Sequence, residues 1–248
     1  MFSIRAKNLD NPKSTQYHAS LIRTKRFLKN IYINFYTQFK NSLPTLKDKV
    51  IIEIGSGGGF IKEIMPQAIT SDIMKLKNVD MKFSVLQMPF KNNSVDAFFM
   101  IDVFHHIPDS KKFLTEMLRC LKKNGKIIMI EPANTLWGGF AYKYFHHELY
   151  DPKGAWKFKS NGPLSSSNLA LPWIVFVRDR NKFLSLFPEL NIIRIHAHTP
   201  FLYLLSGGLS FPQLVPSWSY PFFNKFEKLL EGLNPLIGMF YTIELVKK

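Results

Sequence analysis

A single cysteine, Cys120, stands in the whole sequence. No internal disulfide can form, and such sparse thiol usage fits a reducing compartment. No stretch reaches the ~18–20 apolar residues of a spanning helix. The nearest, 201–215, is broken by Gly207, Gly208 and Pro212. The first twenty residues hold no apolar h-region, so no secretory signal is expected. Acidic residues are scarce as well: 18 Asp and Glu face 33 Lys and Arg, a net charge of +15. That imbalance says little about fold. It favours an anionic partner, whether nucleic acid, an anionic membrane surface or a phosphate-bearing substrate. The expectation is a cytoplasmic protein that can dock on the inner face of the membrane.

What is present begins with enough apolar residues, 46% of 248, to bury one sizeable core. Leu21, Leu28, Ile31, Phe35 and Phe39 recur at helical spacing, so residues 14–40 read as one amphipathic helix with Arg23, Lys25, Arg26 and Lys29 off its stripe. Short apolar runs at 50–54, 68–73, 82–86, 97–101 and 126–130 read as strands. A helix beginning at Phe60 and another over 110–121 fall between them. Such alternation implies a parallel sheet with crossover helices. Helix 180–187, strand 191–196 and strand 240–246 come next. Residues 132–178 and 199–237 lack a steady period and read as insertions that cap an acceptor. Residues 1–47 form an N-terminal helical cap and 48–131 a cofactor-binding half, all within one domain.

The run Glu53-Ile-Gly-Ser-Gly-Gly-Gly59 joins the first strand to the helix expected from Phe60. Glycines there permit a tight turn and close approach of a ligand to backbone. A dinucleotide fingerprint would need glycine at position 60, which is Phe60, and a P-loop would need Gly-Lys-Ser/Thr, which is absent. A nucleoside cofactor without a pyrophosphate remains. Glu53 would repel a phosphate but pair with an ammonium. Asp72, 19 residues on, stands where an acidic side chain can accept both ribose hydroxyls.

These residues resemble the E/D-x-G-x-G-x-G signature of class I S-adenosylmethionine-dependent methyltransferases. Gln87-Met-Pro-Phe90, Ser94-Val-Asp-Ala-Phe98, Asp102-Val-Phe-His-His-Ile-Pro-Asp109 and Leu118-Arg-Cys-Leu-Lys-Lys-Asn-Gly-Lys-Ile-Ile-Met129 are similar to the family's later motifs, in order. The resemblance implies a Rossmann-like α/β fold, a seven-stranded mixed sheet with the last strand antiparallel, and S-adenosyl-L-methionine as cofactor. It places Glu53, Gly55, Ser56, Gly57 and Gly59 around the methionine end and Asp72 with Ile73 at the ribose and adenine. Met88 falls near the adenine, and Asp102 near the amino acid end. Ser84 departs from the family: many relatives have Asp there to accept from the adenine amino group, so Gln87 or a backbone carbonyl must serve. The Phe145-His-His-Glu148 run with Asp151, and the aromatic N-terminal helix, are similar to uncharacterised methyltransferases linked to bacterial surface-polysaccharide or lipid biosynthesis.

Methyl transfer to a hydroxyl is helped by a general base. His105 and His106, just past the fourth strand, are the candidates, with a structural role as the equal alternative. His146, His147, Tyr150 and Trp156 are candidates for acceptor contact. The spacing of His146, His147, Glu148 and Asp151 matches no zinc pattern, so no metal is expected. Cys120 reads as core packing. O-methylation of a small-molecule, lipid-linked or saccharide acceptor is the favoured activity. A nucleic-acid methyltransferase is the alternative, weakened because Asp-Val-Phe-His follows the fourth strand in place of Asn/Asp-Pro-Pro-Tyr/Phe. A non-catalytic cofactor-binding protein is the other.

Overall fold

The computed structural model describes residues 10–248. Its strands are β1 (Ile51–Glu53), β2 (Ile69–Asp72), β3 (Met81–Lys82), β4 (Val95–Ile101), β5 (Leu121–Pro132), β6 (Leu190–His198) and β7 (Phe240–Lys247). They form one sheet in the order β3-β2-β1-β4-β5-β7-β6. The pairs from β3 to β5 are parallel, whereas β7 runs antiparallel to both β5 and β6. This is the Rossmann-like mixed sheet that the motif order implies. The strand expected over 82–86 is shorter and earlier. Ser84 and Gln87 instead close a tight turn through an isolated bridge.

Side chains alternate across the central strands, as extended backbone requires. Ile52, Phe98, Met100, Ile127 and Met129 pack on one face with α3 (Ser110–Cys120), whose Phe113, Leu114, Met117 and Cys120 are buried. Asp109 starts this helix by accepting a hydrogen bond from the Lys112 amide at 3.0 Å. Ile51, Ala97, Phe99, Ile128 and Ile130 line the other face.

That second face is covered in an unexpected way. The helix expected from Phe60 is only a 3-10 turn, Ile61–Glu63. Between Gly59 and Pro66 lie six residues, fewer than two turns of α-helix at 3.6 residues per turn. The N-terminal segment fills the space. The single helix read over 14–40 is two, α1 (Pro12–Thr24) and α2 (Arg26–Ser42). The break is Lys25, in extended conformation, with its ammonium donating to the Gly208 carbonyl at 2.7 Å. Helix α2 lies across the sheet, and Phe39 stacks on Phe99 with centroids 4.6 Å apart. The bend frees α1 to leave the sheet and cross the carboxyl ends of the strands.

The insertions are more helical than their patterns suggest. They contain α4 (Leu136–Phe145) and α5 (Leu171–Trp173), which continues into a π turn, Ile174–Arg178. After α6 (Arg180–Leu186) come α7 (Leu202–Leu205), α8 (Tyr220–Leu229) and α9 (Asn234–Ile237). Helix α4 is apolar on several sides, with Ala141 and Tyr142 buried and Leu136, Phe140, Tyr144 and Phe145 exposed. It therefore shows no stripe. Among the described residues no helix is long and apolar enough to cross a membrane.

Candidate functional site

At the carboxyl end of β1 the chain turns through Gly55 and Gly57, at φ 64° and 46°. These left-handed values disfavour any side chain. The turn aims the Gly57 amide at Asp72, whose carboxylate accepts from it at 3.0 Å and from the Met74 amide at 2.8 Å. Burial raises the Asp72 pKa, against the pull of these two hydrogen bonds. Ser56 is engaged in the framework: its hydroxyl accepts from the Ser71 amide at 3.1 Å. Glu53 is buried, and its Oε2 has no hydrogen-bond partner. Burial pushes its pKa up to about 7. An unpaired buried carboxylate oxygen is costly unless a donor or cation meets it.

Helix α1 lies directly on this corner. A Cβ added to Gly58 would stand 2.6 Å from the Ala19 Cα, so only glycine lets the helix approach. One at Gly59 would strike the Tyr36 hydroxyl, which accepts from the Phe60 amide at 3.2 Å. Arg23 donates to the Gly58 and Gly59 carbonyls at 3.1 and 3.2 Å. Thr15, beside Gly57, is buried with its hydroxyl unpartnered. The seat thus offers two orphaned oxygens, Glu53 Oε2 and Thr15 Oγ1, next to the carboxylate of Asp72. This set suits a ligand with an ammonium and hydroxyl groups, which S-adenosylmethionine is. Ile73 is exposed beside Asp72, Gln87 is exposed, and Met88 is buried with its amide donating to Glu116 at 2.8 Å. Ser84 spends its hydroxyl on the Leu86 amide at 3.3 Å.

A second group of polar residues adjoins the first. Gly55 packs on Val103, to whose Cγ2 an added Cβ would come within 2.5 Å. The turn after β4 therefore rests against the glycine corner. Asp102 begins that turn at φ 55°, a strained value of the kind functional sites retain. Burial carries its pKa up to about 7, although the charge of His105 opposes this. Glu131, at the end of β5, accepts from the Val103 and Phe104 amides through Oε1 at 2.8 and 2.7 Å. Its Oε2 lies 2.8 Å from His105 Nδ1. Because a carboxylate only accepts, Nδ1 carries the proton. His106 Nδ1 lies 3.2 Å from the Ser166 carbonyl oxygen, so it too must donate.

The two remaining ring nitrogens turn towards Glu148 of the insertion. Its Oε2 is 3.4 Å from His105 Nε2 and 3.7 Å from His106 Nε2. Burial works against a charged His105, yet hydrogen bonds to Glu131 and Glu148 push its pKa up to about 10. Burial, aided by the charge of His105, holds His106 down at about 4. Glu148 is held well below the usual carboxylate range, despite burial, by His105.

The other candidates are divided. His146 is half-buried against Tyr142 and His147, and burial lowers its pKa to about 4. His147 and Glu148 line a cleft of about 460 Å³ together with Asp151, Lys159, Ser165 and Asn168. Tyr150 donates to Asn134. Trp156 is not brought to the cleft: it is buried in the core, with its indole donating to Asp179 at 2.8 Å. The sequence pattern alone does not reveal Thr15, Arg23, Tyr36 or Glu131, and it does not join Glu148 to His105 and His106. Glu131 had a signal, being a lone carboxylate ending an apolar strand. Thr15 had none.

A seven-stranded sheet in this order, with β7 antiparallel to both its neighbours and a glycine corner after β1, is the Rossmann-like methyltransferase fold. Residues 52–129 match the family model of a methyltransferase domain. An S-adenosylmethionine-dependent methyltransferase from Thermotoga maritima superposes at TM-score 0.52 with 15% identity, over 92% of this chain and 99% of that one. One from Archaeoglobus fulgidus gives 0.50 and 15%, over 88% and 94%. The geranyl diphosphate C-methyltransferase of Streptomyces coelicolor A3(2), solved with Mg2+, geranyl diphosphate and S-adenosyl-L-homocysteine, gives 0.51 and 13%, over 100% and 91%. The chain is similar to these in fold.

Proposed function

We propose that this protein is an active O-methyltransferase whose acceptor is an amphiphilic, anionic molecule, lipid-linked or saccharide. One observation carries the reading: the His105–His106–Glu148 cluster joins the cofactor corner, through Val103 on Gly55, to the cleft that Glu148 lines. S-adenosylmethionine, when bound, supplies the activated methyl group together with its leaving group. The chain's part is to seat, align and exclude water. Glu53 and Asp72 would hold the two ends of the cofactor, with α1 packed over the corner. Neutral His106 and the Glu148 carboxylate accept the acceptor's hydroxyl hydrogen. His105, engaged at both ring nitrogens, positions Glu148 and is not the base.

The amphiphilic character rests on a band of rings. Phe145, Phe140, Trp137 and Phe201 succeed one another at centroid spacings of 5.8, 5.9 and 6.1 Å. Phe201 then walls an apolar groove with Leu205, Phe223 and Phe226. Trp218, in the turn before α8, and Phe222 and Leu229 on α8 are exposed as well, and Lys225 and Lys228 add positive charge on α8. Apolar side chains flanked by lysines suit an anionic membrane surface and the molecules it presents.

The test is transfer of labelled methyl from S-adenosylmethionine into lipid, saccharide and RNA fractions. The expected product is an alkali-stable methyl ether in the lipid or saccharide fraction, lost in Asp72→Ala. Label entering RNA alone, or cofactor binding with no transfer to any fraction, overturns the reading.

A further inference from the structure

We propose that His105, His106 and Glu148 bind one divalent transition-metal ion, for which zinc is the best match. This rests on the reading of the cluster as the acceptor subsite and changes its chemistry: with His106 Nε2 and Glu148 Oε2 as ligands, the cation that would meet the acceptor's oxygen takes the place of a base by acidifying the hydroxyl, whose proton leaves to solvent. Three observations carry it.

The first is spacing. A tetrahedral zinc with ligands at about 2.0–2.2 Å sets neighbouring donor atoms roughly 3.3–3.5 Å apart. Here Glu148 Oε2 stands 3.4 Å from His105 Nε2 and 3.7 Å from His106 Nε2, and all three atoms fall within 4.8 Å of one another. Small side-chain rotations suffice to close on an ion.

The second is the outer support. Metal-binding imidazoles characteristically give their other ring N–H to a carboxylate or a backbone carbonyl, which fixes the tautomer and aims the lone pair. His105 gives Nδ1–H to Glu131, itself fixed by the Val103 and Phe104 amides. His106 gives Nδ1–H to the Ser166 carbonyl. Both histidines carry the partner that a ligand histidine has, and both point Nε2 at one carboxylate oxygen.

The third is that this oxygen, Glu148 Oε2, is buried and faced only by the two imidazole nitrogens, at 3.4 and 3.7 Å, with no hydrogen bond of good geometry. Two imidazoles and one carboxylate match zinc-type chemistry and disfavour magnesium and calcium, which take oxygen ligands. Three protein ligands also leave a coordination position for an acceptor oxygen, and Glu148 opens that position to the cleft. The ligands come from β4's end and from an insertion some forty residues later, which hides the site from any search for contiguous spacing.

The experiment is zinc titration of chelator-stripped full-length protein by calorimetry, with cobalt substitution read by visible absorption. One equivalent of zinc is expected, with a rise in melting temperature and a cobalt d–d band typical of low coordination number. Glu148→Gln and His106→Gln should each weaken zinc at least tenfold while S-adenosylhomocysteine binding, measured in parallel, is kept. Glu131→Gln, which can still accept the two amides, should weaken zinc by about 10–100-fold. Absence of stoichiometric binding, or binding unchanged in both Glu148→Gln and His106→Gln, overturns the proposal and leaves a metal-free ion-pair network. Chelator-resistant methyl transfer would sink the metal alone. Zinc binding without cofactor binding would sink the methyltransferase reading and keep the metal site.

Discussion

At the scale of single residues, the cofactor corner turns on charge and on space. Glu53 stays largely protonated in the empty site below its pKa of about 7. An ammonium ligand needs the ionised form. Affinity for S-adenosylhomocysteine should therefore rise as pH goes from 6 to 8 and level off above, and Glu53→Gln should flatten the curve; calorimetry across pH checks both. On the proposed cofactor seat, Asp72→Ala removes a carboxylate that would accept from the ribose hydroxyls, and hydrogen bonds to charged groups contribute about 1.5–3 kcal/mol each. A loss of affinity of tenfold or more is expected. Gly58→Ala drives a Cβ into the Ala19 backbone, and overpacking of this kind costs about 1–3 kcal/mol. The melting temperature should fall and ligand affinity with it, because α1 must lift. That Glu53, Asp72 and the glycines meet at one corner could be read directly, since spacing along the chain sets the two strand ends and the turn between them. Thr15 and Glu131 could not, because their importance depends on what a distant segment brings beside them.

At the scale of elements, α2 takes the place of the missing crossover helix. Phe39→Ala opens a hole against Phe99, and deletions of buried phenylalanine cost about 3–5 kcal/mol. A denaturant melt should register a loss of that size. Helix α7 is tied to α8 by Glu227, which accepts from the Phe201 and Leu202 amides at 2.7 Å. Burial pushes its pKa up to about 7 from an unfolded value near 4.5. The folded state thus binds this proton more tightly, and the contribution to stability falls as pH climbs between those values. Glu227→Gln, neutral throughout, should gain melting temperature over wild type at pH 8 but not at pH 4.5. The strands were legible because each is a short apolar run with a clear stop. The bend at Lys25 was not, since the apolar stripe continues through it and the cause lies at Gly208. Helix α4 escaped notice because its exposed face is apolar too.

At the scale of the molecule, the proposed membrane contact would join the net charge of +15 to the ring band on α4 and the exposed rings near α8. Flotation should show binding to anionic vesicles and little to neutral ones, weakening with salt. Phe222→Ser with Trp218→Ser should abolish it without changing cofactor affinity. The basic charge was plain in the sequence, whereas which rings are exposed needed the fold. The proposed function depends first on the corner of β1 and β2 holding the cofactor. Calorimetric titration of the purified protein with S-adenosylhomocysteine probes that corner without relying on any acceptor. One site is expected, tenfold or more weaker in Asp72→Ala. Absence of binding to the folded wild-type protein, or equal affinity in the variant, would rule out a cofactor seat at this corner.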